Sequence, residues 1–228
     1  MISGCGCLVD KVAKDDRAYL MANEIKAEGL AYWYLRLNGF LMISNFVVHP
    51  DTGSNQRTDV DILGVRFPHR AELLKSPMQD DDVFAGVNCK PYIAIAEVKR
   101  GTCDLNGPWT VPADQNMQRV LRAIGAFPNE EIEDIARALY EEGCADESSF
   151  LTLLCLGSKE NLKIRETYPR VPQITWDRAL RFIFNRFRRY RRQKVSHDQW
   201  NLDGRNLWNW VTDCTDPKEF AASVEVVS

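Results

Sequence analysis

Apolar residues recur along this chain in two periods, and the switches between them divide it into elements. Over residues 15–38, Leu20, Ile25, Leu30, Trp33, Tyr34 and Leu37 fall at helical spacing, with Asn38-Gly39 as a stop. Residues 40–48 and 58–67 then read as strands, joined into a hairpin across the turn-rich stretch 49–55. The run 92–99 follows Pro91, is rich in β-branched residues, and reads as a buried strand. Between the second and third strands, residues 68–89 form a polar connection. It carries a short helix near 71–75 and an acidic cluster, Asp80-Asp81-Asp82, expected as a solvated loop.

Residues 101–112 are a loop rich in turn formers. Two helices follow, 113–127 and 129–142, broken at Pro128, and then an apolar strand at 149–156. A short strand or helix entry at 173–176 leads into a strongly amphipathic helix at 177–194, and a last short helix covers 204–212. The order α-β-β-β-α-α-β-β-α predicts an α/β fold, a mixed central β-sheet flanked by helices. No internal repeat or low-complexity segment interrupts it.

Composition narrows the reading. A chain of 228 residues with 45% hydrophobic residues is one large domain or a domain with an appendage. No apolar run approaches the roughly 20 residues that span a bilayer, so no membrane is expected. The opening residues lack the apolar stretch of a signal peptide. Seven cysteines, odd in number and irregularly spaced with no C-x-x-C pair, suit a reduced, cytoplasmic setting. The three histidines lie near no cysteine pair, which argues against zinc. A net charge of −3 says little; its distribution says more.

The third strand ends in Glu97-Val98-Lys99. Residues two apart on a strand share a face, so Glu97 and Lys99 project side by side. Two charges at the end of a buried strand cost desolvation energy that metal coordination or catalysis would justify. The hairpin can bring Asp61, set before the apolar Ile62-Leu63, beside Glu97. Two adjacent carboxylates repel unless a cation or a proton lies between them. Oxygen-rich sites with one or two carboxylates suit Mg²⁺, which can activate water and offset charge on a phosphate.

This arrangement resembles the PD-(D/E)XK nuclease superfamily, whose fold is restriction-endonuclease-like. The resemblance runs from about residue 24 to 156, through Ala27-Glu28-Gly29-Leu30, Thr58-Asp59-Val60-Asp61-Ile62-Leu63 and Glu97-Val98-Lys99. It implies Asp61, Glu97 and the backbone carbonyl near Val98 as Mg²⁺ ligands, with Mn²⁺ as a substitute, and Lys99 beside the attacking water. It also implies catalytic roles for Glu28, with Glu24 as rival, and for Gln115, with Gln118 close by and Arg119 as a nucleic-acid contact. Val60 stands where the family has proline, Asp59 competes with Asp61 on the same face, and the 68–90 segment is an insertion. The implied activity is phosphodiester hydrolysis, by a DNA endonuclease of restriction or anti-phage defence, as a homodimer or within a larger complex, with RNA also open as target. A catalytically inactive nucleic-acid-binding or interaction subunit on the same fold is the alternative. The domain expected is a core over 1–157 with a C-terminal helical appendage, 158–228, packed on it.

That appendage carries the basic residues. Arg186, Arg188, Arg189, Arg191 and Arg192 follow an inward stripe of Leu180, Ile183, Phe184 and Phe187. A concentrated basic helix on an acidic chain is the footprint of a phosphate-backbone reader, or else a solvated face or a surface for an acidic protein. Trp200, Trp208 and Trp210 pack in a core or interface, or stack on bases.

Overall fold

The computed structural model describes residues 23–49, 58–72, 74–87, 89–196 and 201–228. Strands β2 (Leu41–Val48), β3 (Thr58–Arg66) and β4 (Tyr92–Val98) form an antiparallel meander. Helices α2 (Asn116–Ile124) and α3 (Ile132–Glu142) cross over the sheet to β6 (Phe150–Gly157). That strand pairs parallel with β4 from Tyr92↔Phe150 to Val98↔Leu156. The free edge of β6 takes β5 (Cys144–Asp146) antiparallel near its start and β7 (Gln173–Thr175) parallel near its end. The fold is therefore α/β, with a mixed six-stranded central sheet flanked by helices.

Every residue of β4 is buried because helices cover both faces of the sheet. Ala94, Ala96 and Val98 face one core with α1 (Ala27–Leu37) and α5 (Trp176–Arg189). Ile93 and Ile95 face a second core with α2 and α3. Strand alternation puts Glu97 on this second face. Thr175 caps α5 by accepting from the Arg178 N–H at 3.3 Å, and the Trp176 indole donates to the Arg100 carbonyl at 3.2 Å. The start of α5 is thus pinned at the C-terminal end of β4.

Several expectations are corrected. The first helix begins only at Ala27. Residues 23–26 are instead a strand, β1 (Asn23–Lys26), paired parallel with β8 (Val224–Val227) at the other end of the chain; residues 15–22 lie outside the described ones. Ile25 fits helical spacing but is buried through that distant strand. No helix forms over the described residues of 71–75. A 3-10 turn at Asp82–Phe84 replaces it, placing Phe84 among Tyr34, Phe40 and Tyr92. The basic helix breaks at Tyr190, leaving α6 (Arg191–Lys194) as a separate turn. Helices α4 (Leu162–Thr167), α7 (Leu202–Asp213) and α8 (Pro217–Ser223) complete the chain. Residues 158–228 pack against the rest of the molecule. β7 extends the sheet, β8 pairs with β1, and α5 covers α1. Among the described residues no helix is long and apolar enough to cross a membrane.

Candidate active site

The β3–β4 register pairs Ile62 with Ala96, so one step further sets Asp61 beside Glu97. Asp61 Oδ2 accepts the Val98 N–H at 2.7 Å, and the ladder ends there. Glu97 is only 3% exposed. Its Oε1 accepts from Lys99 Nζ at 2.5 Å and from Asn106 Nδ2, and its Oε2 accepts from the Trp109 indole N–H at 2.7 Å. The Asp61 carboxyl is pushed up to about 6, first by burial and then by the charges of Glu97 and Asp59. The Val98 N–H and Lys99 oppose the rise without cancelling it. Cys155, opposite Glu97 on β6, is no nucleophile, because burial pushes its thiol up.

A strap over residues 101–111 supplies Asn106 and Trp109. It runs so close to β6 that a side chain at Gly157 would strike the Gly101 carbonyl and the Cys103 nitrogen. The Ser158 N–H donates to Gly101 at 2.6 Å and the Cys103 N–H to Lys159 at 2.9 Å. A 3-10 turn at Gly107–Trp109 then drives the indole, 1% exposed, under Glu97. Sequence reasoning missed both residues. The available signal was the Asn-Gly-Pro-Trp turn so soon after Lys99.

Other expected site residues stand apart. Asp59 pairs across from Val47 and is exposed, which leaves Asp61 as the aspartate in contact with β4. Glu28 is exposed on α1, the helix that covers the opposite face. Among the described residues no hydrogen bond or ion pair joins it to Asp61 or Glu97. Glu24 lies on β1, outside any helix. Gln115 is exposed in the left-handed region (φ 54°) just before α2 and lines a groove with Arg119, Arg122 and His49. Gln118 is buried and donates to Glu133 at 3.1 Å.

Arg186 is no phosphate contact. It is 1% exposed, and its guanidinium donates to the carbonyls of Leu37 (2.8 Å) and Met78 (2.7 Å) and to Asp80. Asp80 and Asp81 are likewise no solvated loop. Asp80 also takes Arg66 and Arg70, while Asp81 takes Arg178 and the Tyr34 hydroxyl. Burial alone would raise the Asp81 carboxyl, but those hydrogen bonds outweigh it and hold it low. Arg188 is exposed and stacks over Phe184, Arg189 donates to Ser76, and Arg191 and Arg192 are exposed. At 1.5 Å per residue, Arg186 lies about 15 Å along the helix from Trp176, and hence away from Lys99. Trp208 and Trp210 pack against the α1–α5 core, and Trp200 lies outside the described residues.

No family model, no curated protein and no solved structure matches this chain. Among the described residues no three His, Cys, Asp or Glu side chains form a metal-binding group. The Asp61–Glu97 pair is a two-carboxylate arrangement, of the kind that leaves most of an ion's shell to water.

Proposed function

We propose that the chain is a Mg²⁺-dependent nuclease that hydrolyses phosphodiester bonds, DNA first, at the Asp61–Glu97–Lys99 end of β4. One observation carries the reading: the β3–β4 register sets the Asp61 carboxylate beside a Glu97 that is almost wholly buried. Two carboxylates held together at a sheet end keep a repulsion that a cation relieves. Their chemistry fits a hard divalent ion, with Asp61, Glu97 and the Val98 carbonyl as oxygen ligands for Mg²⁺ or Mn²⁺. Such an ion would supply charge neutralisation at the phosphate and a more acidic water.

The chain's own residues supply the remainder. Trp109 fixes one oxygen of Glu97, so the carboxylate keeps its orientation. The Lys99 side chain is 28% exposed, so its ammonium can turn from Glu97 toward a phosphate oxygen or an attacking water. There its fixed positive charge favours the transition state over the ground state.

A second reading, a catalytically silent nucleic-acid-binding subunit, has its own observation. Lys99, Asn106 and Trp109 already satisfy the Glu97 carboxylate. Incubation with supercoiled, linear and single-stranded DNA and with RNA, each with Mg²⁺, Mn²⁺ or EDTA, separates the two. Divalent-dependent cleavage that Lys99→Ala abolishes supports the nuclease. Binding without cleavage in any metal supports the silent subunit.

A further inference from the structure

We infer that Asn106 is a latch on Glu97: its amide competes with the divalent ion for one carboxylate oxygen and so sets the affinity of the site. The latch rests on the metal site proposed for Asp61 and Glu97, and adds to it the residue that opposes the ion. The two oxygens of Glu97 are not equivalent. Oε2 accepts the Trp109 indole N–H in a buried bond, and Trp109 packs within the second core. That oxygen is sealed from solvent. Oε1 lies on the partly exposed side, where Lys99 Nζ at 2.5 Å and Asn106 Nδ2 both donate to it. An ion that arrives from water beside Asp61 therefore meets Oε1, and finds two donors on it.

Two hydrogen bonds occupy both lone pairs of one carboxylate oxygen. A cation and an N–H donor compete for the same electron density, so each donor on Oε1 weakens the ion's hold. The two donors respond differently to an arriving ion. Lys99 is charged, and the ion repels it. The Asn106 amide is neutral and is not repelled, so it is the donor that persists against the ion. Its place on the strap lets it leave alone. Leu105 and Trp109 are both buried and anchor the strap on either side, while Asn106 between them is exposed. The 3-10 turn at Gly107–Trp109 is closed by the backbone, the Trp109 N–H donating to the Asn106 carbonyl at 3.0 Å, and the Asn106 side chain caps nothing. Rotation about two side-chain bonds therefore releases Oε1 with the strap in place.

The test is calorimetric titration of the full chain with Mn²⁺ and with Mg²⁺, for the parent, Asn106→Ala, Asn106→Ser and Trp109→Phe. Alanine and serine both keep the backbone bond of the turn and are too short to reach Glu97. The pair guards against a folding defect in either one. Each should bind the ion roughly three- to tenfold more tightly than the parent, the worth of one net hydrogen bond. Trp109→Phe removes a donor from the sealed oxygen and should bind no more tightly than the parent. Binding by the Asn106 variants alone, with none by the parent, also supports the latch. Asn106 variants that bind equally or more weakly than a binding parent overturn it and leave the metal site standing. Equal tightening in Trp109→Phe overturns it as well, because the gain would then come from the charge on Glu97 and not from the place Asn106 holds. Absence of binding in all four proteins overturns the latch together with the metal site on which it rests.

Discussion

Asp61, inside β3, and Glu97, near the end of β4, lie side by side, yet their surroundings treat them differently. Glu97 receives three side-chain donors, whereas Asp61 has one peptide N–H against burial and two neighbouring carboxylates. The unfolded carboxyl releases its proton near 3.8 and the folded one near 6. Between those values the folded state binds the proton more tightly, so stability falls as pH rises through the window and the full penalty stands at pH 7. Asp61→Asn is expected to raise the melting temperature at pH 7, with the gain shrinking toward zero near pH 4. That difference is worth ~3 kcal/mol at most, and partial exposure reduces it to roughly 1 kcal/mol. Equal melting of the two proteins at pH 7 would remove the strain on which the metal reading rests. Trp109→Phe, which keeps a ring but deletes the donor to buried Glu97, should cost roughly 1.5–3 kcal/mol in urea unfolding. Strand alternation made it legible that Glu97 and Lys99 share a face, but it could not separate Asp61 from Asp59, which only the contact with the Val98 N–H does. Asn106 and Trp109 were not legible, because their place depends on how a non-periodic strap folds back at Gly157.

Elements show the same division between local and distant causes. The meander β2–β3–β4, the crossover helices and β6 could be read from periodicity and turn residues. β1 could not, since its burial comes from β8 at the far end of the chain, and no window of sequence contains both. The acidic run at 80–82 looked solvated because its partners are also distant: Arg178 and Arg186 reach it from α5. Asp80→Asn removes the nearer carboxylate of Arg186, 1% exposed, and leaves it only Glu72 at 3.7 Å. Removing one partner of a buried pair costs about 3–5 kcal/mol, expected as a lowered urea midpoint with unchanged slope. Arg188→Gln, on the exposed side of the same helix, should stay within about 0.5 kcal/mol of the parent. A comparable loss in both variants would mean that the Asp80 network is not what holds α5 in place.

At the scale of the whole molecule, two chemistries lie at two ends. The carboxylate pair and Lys99 sit where β4 ends and α5 begins, while the exposed arginines sit where α5 ends. A nucleic acid that touches both must cross about a helix length of surface. If Arg188 and Arg192 lie under it, replacing both by Gln should flatten the slope of log affinity against log salt by up to about two units on duplex DNA. An unchanged slope would assign that end to another role. Neither result decides the chemistry at the other end. That is decided by the cleavage rate of plasmid DNA in Mg²⁺ for the parent and for Lys99→Ala, with affinity measured in Ca²⁺. The account predicts divalent-dependent cleavage that falls by on the order of a hundredfold or more in the variant while affinity holds. Cleavage at the parent rate by Lys99→Ala, or no cleavage by the parent in Mg²⁺ or Mn²⁺, would contradict it.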